Sequence, residues 1–254
     1  MSHQLTIEPL GATIDVASGQ SMLDAALRQG IYLPHACGHG LCGTCKVQVC
    51  EGEVDHGAAN PFALMDIERD SGLTLAEADI DEDPDAQQIP VRDFQATVTR
   101  IDRLTPSIKA LQLALDQPLR YQAGQYVQLQ IPGLGQSRAF SAANAPNAEG
   151  LAQHIELHVR HVPGGVGTTW LHQTLQVGDR LRLAGPYGRF FVRHSSTLPI
   201  VFMAGGSGLS SIYAMLQDLL ARQATQPITL VYGQRLRQEL YYHDELCALA
   251  AQHP

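Results

Sequence analysis

Residues 199–233 read Pro-Ile-Val-Phe-Met-Ala-Gly-Gly-Ser-Gly-Leu-Ser-Ser-Ile-Tyr-Ala-Met-Leu-Gln-Asp-Leu-Leu-Ala-Arg-Gln-Ala-Thr-Gln-Pro-Ile-Thr-Leu-Val-Tyr-Gly. The run 199–206 has the continuous apolar character of a strand buried on both faces, and 227–233 repeats it. Between them, 209–223 has helical spacing, and 240–252 follows as a second helix with Cys247 on its apolar, core side. Strand, helix, strand, helix implies a parallel sheet with helices on its faces. Gly205, Gly206 and Gly208 follow a strand and open a helix, with Ser210 in its first turn. That is the context in which a glycine loop cradles the phosphates of a dinucleotide. Tyr232-Gly-Gln-Arg235 ends the second strand, where the adenosine half of such a ligand lies. Arg235 suits a 2′-phosphate or plain solvent equally, so NADH and NADPH both stay open.

Upstream, the texture changes. Segments 94–102, 107–114, 125–131, 154–161, 180–184 and 190–193 are short β-like runs between Gly/Pro turns, which predicts an antiparallel barrel or sandwich. Charge divides the chain as well. It has 254 residues and a net charge of −8, but residues 1–85 net −12 and residues 86–254 net +4. An acidic part joined to a mildly basic part suggests domains with different partners. No dense Lys/Arg stripe exists, which argues against nucleic acid as the main ligand. No apolar run approaches the ~18 residues of a membrane span. The N-terminus lacks a basic region followed by an apolar stretch, so no signal peptide and a cytoplasmic location are expected.

At the start of the chain, 4–16 reads as a hairpin turning at Gly11. A helix follows, N-capped by Ser21 with Asp24 at the third position, and Gly30 closes it. Residues 46–50 read as a strand. Residues 77–88 are acidic and nearly free of bulky apolar side chains, and read as a linker. Between hairpin–helix and strand lies Cys37-Gly-His-Gly-Leu-Cys42-Gly-Thr-Cys45. Four of the five cysteines fall within fourteen residues, which in a cytosolic chain points to metal or redox chemistry. Cys42-x-x-Cys45 alone also suits half a zinc site with His35 or His39, or a dithiol. The added Cys37 and the interleaved glycines favour an iron–sulfur loop, because C-x4-C-x2-C is the plant-type 2Fe–2S spacing. The glycines let the backbone wrap closely and aim N–H groups at the sulfurs.

This loop and its flanks resemble a plant-type ferredoxin domain of β-grasp fold. Arg138-Ala-Phe140-Ser141 resembles the Arg-x-Tyr-Ser of ferredoxin–NADP reductase-type flavoproteins. The resemblance implies that Arg138 pairs with a flavin phosphate, that Phe140 packs on the flavin, and that Ser141 hydrogen-bonds its ring edge. Gly164-Gly165-Val-Gly-Thr168 is similar to the superfamily's Gly-Gly-x-x-Ser/Thr, a glycine turn into a helix N-terminus that binds the pyrophosphate. Gly185-Pro-Tyr-Gly188-Arg-Phe190 is similar to its Gly-Pro-x-Gly-x-Phe turn.

The order of the three parts resembles the reductase components of bacterial multicomponent oxygenases, as do Leu33-Pro-His-Ala-Cys37, Asn60-Pro-Phe-Ala-Leu-Met65, Gln125-Tyr-Val-Gln-Leu129 and Tyr241-Tyr-His-Asp244. It implies a multidomain α+β and α/β chain: a 2Fe–2S domain over 1–84, an FAD-binding antiparallel β-barrel over 90–196, and an NAD(P)H-binding α/β domain over 197–254. It implies electron transfer from NADH or NADPH through FAD and a 2Fe–2S cluster to a di-iron oxygenase or hydroxylase component, a phenol hydroxylase, in aromatic hydrocarbon catabolism. The residues carried over are Cys37, Cys42 and Cys45 for the cluster, Arg138, Phe140, Ser141, Gly164, Gly165 and Thr168 for FAD, and Gly205, Gly206, Gly208 and Ser210 for the nucleotide. No side chain is assigned as a catalytic acid or base. Two departures stand out. The family's fourth cluster cysteine follows Leu-Ala, whereas here Leu75-Ala76 is followed by Glu77, and Cys50 sits in a strand leading away. The family also continues with further strands after the second parallel one. The expectation is a truncated and internally gapped version of a longer reductase. A flavin reductase passing electrons to oxygen or dyes, and a non-enzymatic FAD- or zinc-binding module, are the competing readings.

Overall fold

The computed structural model describes residues 2–35, 43, 45–57, 59–75 and 83–253. The chain divides into two compact units, Met1–Val91 and Arg92–Pro254. The segments expected as separate flavin and nucleotide domains therefore fall in one unit.

In the first unit, β1 (Ser2–Ile7) and β2 (Ala12–Ala17) form the expected hairpin, with Leu5 opposite Ile14. Gly11 turns it with φ +62°, a conformation that costs glycine least. Helix α1 (Met22–Arg28) begins where Ser21 Oγ accepts the Asp24 N–H at 3.1 Å. The Asp24 carboxylate accepts from Gln20 Nε2 at 2.8 Å and Arg28 Nε at 3.0 Å, so it serves the helix side and not a reciprocal cap. Gly30 ends the helix at φ +81°, and the Ile31 N–H reaches Ala26 O at 2.9 Å. Ile7, Ile14, Val16, Ala25, Ala26 and Leu33 form a small core between hairpin and helix. Strand β3 (Lys46–Gln48) is shorter than the 46–50 expected. It pairs antiparallel with β4 (Leu73–Leu75), and α2 (Asp66–Asp70) lies between them in sequence. Most of the acidic linker, residues 76–82, lies outside the described residues.

The second unit begins with β5 (Arg92–Arg103), β6 (Ile108–Arg120), β7 (Tyr126–Gln130), β8 (Ser137–Ser141) and β9 (Leu151–Arg160). Helix α3 (Val166–Gln173) and β10 (Arg180–Tyr187) follow. The strands make one antiparallel sheet in the order β8-β7-β10-β5-β6-β9. It curls on itself: Ala142 bridges to Leu157, and the Ala143 N–H reaches Glu156 O at 2.8 Å. Leu111, Leu113, Leu129, Ile131, Leu157 and Val159 fill its interior, with Leu171 of α3. Two local expectations change. The sixth strand is 137–141, and 190–193 is irregular. Gly185-Pro-Tyr is the bulged end of β10 and not a free turn, because Tyr187 resumes pairing with Tyr126.

Strands β11 (Ile200–Gly205) and β12 (Ile228–Gly233) run parallel, with Phe202 beside Leu230. Helix α4 (Leu209–Ala221) lays Ile212, Met215, Leu216 and Leu219 on the Phe202 face. The strands were expected to be buried on both faces. Instead Val201 and Met203 are 63% and 76% exposed. Side chains alternate along a strand, and among the described residues only one face carries a helix. Helix α5 (His243–Gln252) has no buried residue, and Cys247 is exposed, not in the core. The expected helix start at 240 shifts because Tyr241 is buried and Tyr242 adopts φ +58°. No helix among the described residues is long and apolar enough to cross a membrane.

Candidate cofactor and nucleotide sites

Arg138, Phe140 and Ser141 lie on β8, an edge strand paired with β7. Alternation puts Arg138 and Phe140 on one face and Ser141 on the other. Phe140 is half-buried against the barrel core, and the Arg138 side chain is exposed. Among the described residues its Nη1 donates to nearby chain atoms, Ser137 O at 2.9 Å and Gln136 Oε1 at 3.3 Å. Gly164 (φ +77°) and Gly165 turn the chain into α3. Thr168 Oγ1 accepts the Val162 N–H at 3.1 Å and so clasps that turn. A Cβ on Gly165 would stand 2.9 Å from this hydroxyl, so glycine is needed for the close wrap. A Cβ on Gly167 would meet Ile131 Cδ1 at 2.8 Å and lie 3.8 Å from Arg138 Cγ. The bare first turn of α3 therefore packs against Ile131 and Leu134, and the Arg138 stem lies beside it. Free N–H groups of a first helical turn plus a guanidinium form a donor set suited to phosphate. The first turn holds no acid, and no side chain caps it. The residues present fit a flavin pyrophosphate.

On the nucleotide side, Gly206–Gly208 forms a single 3-10 turn between β11 and α4. Gly206 has φ +60°. Ser210 is buried in the first turn of α4. Beside the loop stands a polar column that the sequence reading did not single out. Along β9, Ile155, Leu157 and Val159 point into the barrel, while Glu156, His158 and Arg160 share the opposite face. The His158 side chain is fully enclosed, and Nε2 contacts Glu156 Oε1 at 2.8 Å. A carboxylate only accepts, so Nε2 carries the proton, and Nδ1 faces the Tyr241 hydroxyl at 3.2 Å. Glu156 also accepts from Gln112 Nε2 and the Tyr242 hydroxyl, both at 3.2 Å. Burial pushes the Glu156 carboxyl up, but the His158 bond and charge, Gln112 and Tyr242 together hold it below its ordinary value. Burial raises the Tyr241 and Tyr242 hydroxyls, so both stay protonated donors. Glu239 adds a second tie, accepting from Ser107 Oγ at 2.6 Å and Thr105 Oγ1 at 2.7 Å. Residues 239–242 thus fasten the chain after β12 to the barrel. The column was legible only as an alternation; its partners outside β9 are more than forty residues away.

In the cysteine loop, Cys37 and Cys42 lie outside the described residues, as does Glu77. Cys45 is buried at the entry to β3. Gly43 has φ +70°, and a Cβ there would stand 2.9 Å from Ala63 O, so Gly43 itself packs closely against Ala63. Cys50 is exposed beyond the end of β3. Three soft thiol donors, one of them in a buried setting, fit three of the four positions of a thiolate-held cluster.

Three family profiles match the chain: 2Fe-2S iron-sulfur cluster binding domain over residues 5–76, oxidoreductase FAD-binding domain over 95–192, and oxidoreductase NAD-binding domain over 202–254. The chain is 52% identical to the phenol 2-monooxygenase reductase component DmpP of Pseudomonas sp. (strain CF600), covering 100% of this chain and 74% of that protein. It is 51% identical, with the same coverage, to the phenol hydroxylase P5 protein of Acinetobacter pittii. Among solved structures, the Amycolatopsis cytochrome P450 reductase GcoB superposes with a TM-score of 0.86 at 38% identity, covering 96% of this chain and 76% of that one. With its cluster, FAD and NAD profiles in one order and these relatives along its full length, the chain belongs to the family of oxygenase reductase components.

Proposed function

We propose that this chain is an NAD(P)H-dependent electron-transfer reductase serving an oxygenase, a phenol hydroxylase by analogy with the Pseudomonas and Acinetobacter relatives. The observation that carries the reading is the packing of the Arg138 stem beside the glycine-opened first turn of α3. When bound, FAD accepts a two-electron hydride and a 2Fe–2S cluster carries single electrons, which is the chemistry such a chain needs.

The chain's own residues have separate tasks. Arg138 and the N–H groups after Gly165 hold the flavin phosphates. Phe140 packs beside the flavin, and the Ser141 hydroxyl offers its ring edge a hydrogen bond. Gly205, Gly206 and Gly208 leave bare backbone for the dinucleotide pyrophosphate, with Ser210 supplying its N–H. Cys37, Cys42 and Cys45 supply thiolates. On this reading the divisions are 1–84, 90–196 and 197–254, and the location is cytoplasmic. The net −12 of residues 1–85 provides a docking field for a basic patch on a di-iron partner.

The test is spectroscopic. Purified protein should show flavin and iron–sulfur absorbance, and NADH should bleach both; a colourless protein carrying zinc would refute the reading. Iron and acid-labile sulfide per chain should each be two.

A further inference from the structure

Lys46 opens β3 directly after Cys45, one of the three thiols assigned to the cluster. Alternation along the strand turns Val47 toward the hairpin–helix core and Lys46 and Gln48 to the other face. On that face the Lys46 ammonium pairs with Glu68 of α2. Glu68 Oε2 also accepts the Met65 N–H at 2.8 Å and so caps the start of α2. Both side chains are mostly withdrawn from solvent, Lys46 at 30% exposure and Glu68 at 18%. The ammonium and the Met65 N–H hold the Glu68 carboxyl below its ordinary value, so it stays ionised at neutral pH. Arg69 of the same helix fastens the preceding stretch, donating to Leu64 O at 3.3 Å and Ala59 O at 3.2 Å. That stretch includes Ala63, against which Gly43 packs. The Lys46–Glu68 pair therefore joins the strand that leaves the cysteine loop to the segment that meets Gly43.

We propose that Lys46 and Glu68 are positioning residues that set the reduction potential of the cluster site: the Glu68 carboxylate cancels the lysine charge beside Cys45 and keeps the site a strong electron donor to the oxygenase. The proposal rests on the cluster reading above and deepens it. Three features support it. Net charge and shielding around the thiolates govern such a potential, and reduction adds one negative charge. A bare cation beside the loop favours that electron and retains it, whereas a bare anion opposes it. Both groups are shielded from water, so each acts over a longer range than a surface charge once its partner is gone. Both are also fixed in place, Lys46 opposite Leu75 in the β3–β4 ladder and Glu68 by its bond to the Met65 N–H. As a unit the pair is neutral, and neither half is neutral alone. The consequence is a potential set by an ion pair whose two members lie twenty-two residues apart in sequence.

Potentiometric titration of the cluster-loaded full chain, followed by electron paramagnetic resonance of the reduced cluster, tests this. Glu68→Gln keeps the side-chain shape and leaves the lysine charge uncancelled. It should raise the midpoint by about 30–60 mV, a three- to tenfold change in the reduction equilibrium at 59 mV per decade. Lys46→Gln leaves the carboxylate uncancelled and should lower the midpoint by a similar amount. Lys46→Gln combined with Glu68→Gln is neutral again and should return within about twofold of the parent, ~18 mV. Iron and acid-labile sulfide per chain should match the parent throughout. Single changes that move the midpoint in the same direction would overturn the proposal, as would a double change no closer to the parent than either single one. Iron lost from both single variants and not regained in the double would overturn it too, marking the pair as a clamp alone. A parent chain that takes up no iron and sulfide on anaerobic reconstitution would overturn the underlying cluster reading instead.

Discussion

Replacing His158 by leucine tests whether the Glu156–His158–Tyr241–Tyr242 array fastens the nucleotide segment to the barrel. The imidazole is fully enclosed, contacts Glu156 at 2.8 Å and Tyr241 at 3.2 Å, and stands edge-on to the Tyr241 and Tyr242 rings at 5.2 and 5.6 Å. Leucine keeps much of the volume but removes both polar contacts. Losing a hydrogen bond to a charged group costs about 1.5–3 kcal/mol. Glu156 keeps its bonds from Gln112 and Tyr242 and some access to water, so the lower end applies. The Tyr241 hydroxyl, left without its partner in a buried site, adds ~1 kcal/mol. A loss of about 2.5 kcal/mol in a unit of this size lowers its melting temperature by roughly 5–10 °C. Calorimetry on the full chain should show this shift in the transition of Arg92–Pro254 and none in that of Met1–Val91. Glu156→Leu combined with His158→Leu should cost less than the sum of the two single changes, because each single change removes the same shared hydrogen bond. A shift below about 2 °C for His158→Leu, or strictly additive costs, would refute the account.

Acid should loosen the same contact. The Glu156 and Glu239 carboxyls are held below their ordinary value of 4.5, so the stability they contribute is complete above that pH and fades as pH falls through their folded values. Denaturant midpoints followed from pH 7 downward should show a shallower acid limb for Glu156→Gln than for the parent. Gly124 has φ +101°, and a Cβ there would stand 2.2 Å from both Phe190 O and Met215 Cε. Gly124→Ala should therefore cost ~3 kcal/mol or more by thermal unfolding, whereas Gly133→Ala, with open space around it, should cost only its backbone strain. Gly165→Ala pushes Thr168 off the turn and should weaken FAD about tenfold by fluorescence titration, a single lost hydrogen bond's worth.

Much of this protein is written locally. The hairpin turn at Gly11, the Ser21 cap and the Gly30 stop of α1 depend on residues within four or five positions, so the sequence alone determined them. The same holds for the glycine loop between β11 and α4 and for the spacing of Cys37, Cys42 and Cys45, since backbone freedom and ligand geometry act at short range. Three things needed tertiary structure. Burial of β11 and β12 depends on what covers each face, and alternating exposure of Val201 and Met203 cannot be told from a continuous apolar run. Cys247 looked like a core residue because helical periodicity marks a face without saying whether anything packs on it. The polar column of Glu156, His158 and Arg160 acquires meaning only when Tyr241, Tyr242 and Gly206 fold against it. Local propensity and spacing decide where elements and loops form; desolvation and long-range hydrogen bonding decide which of their faces carry charge into a site.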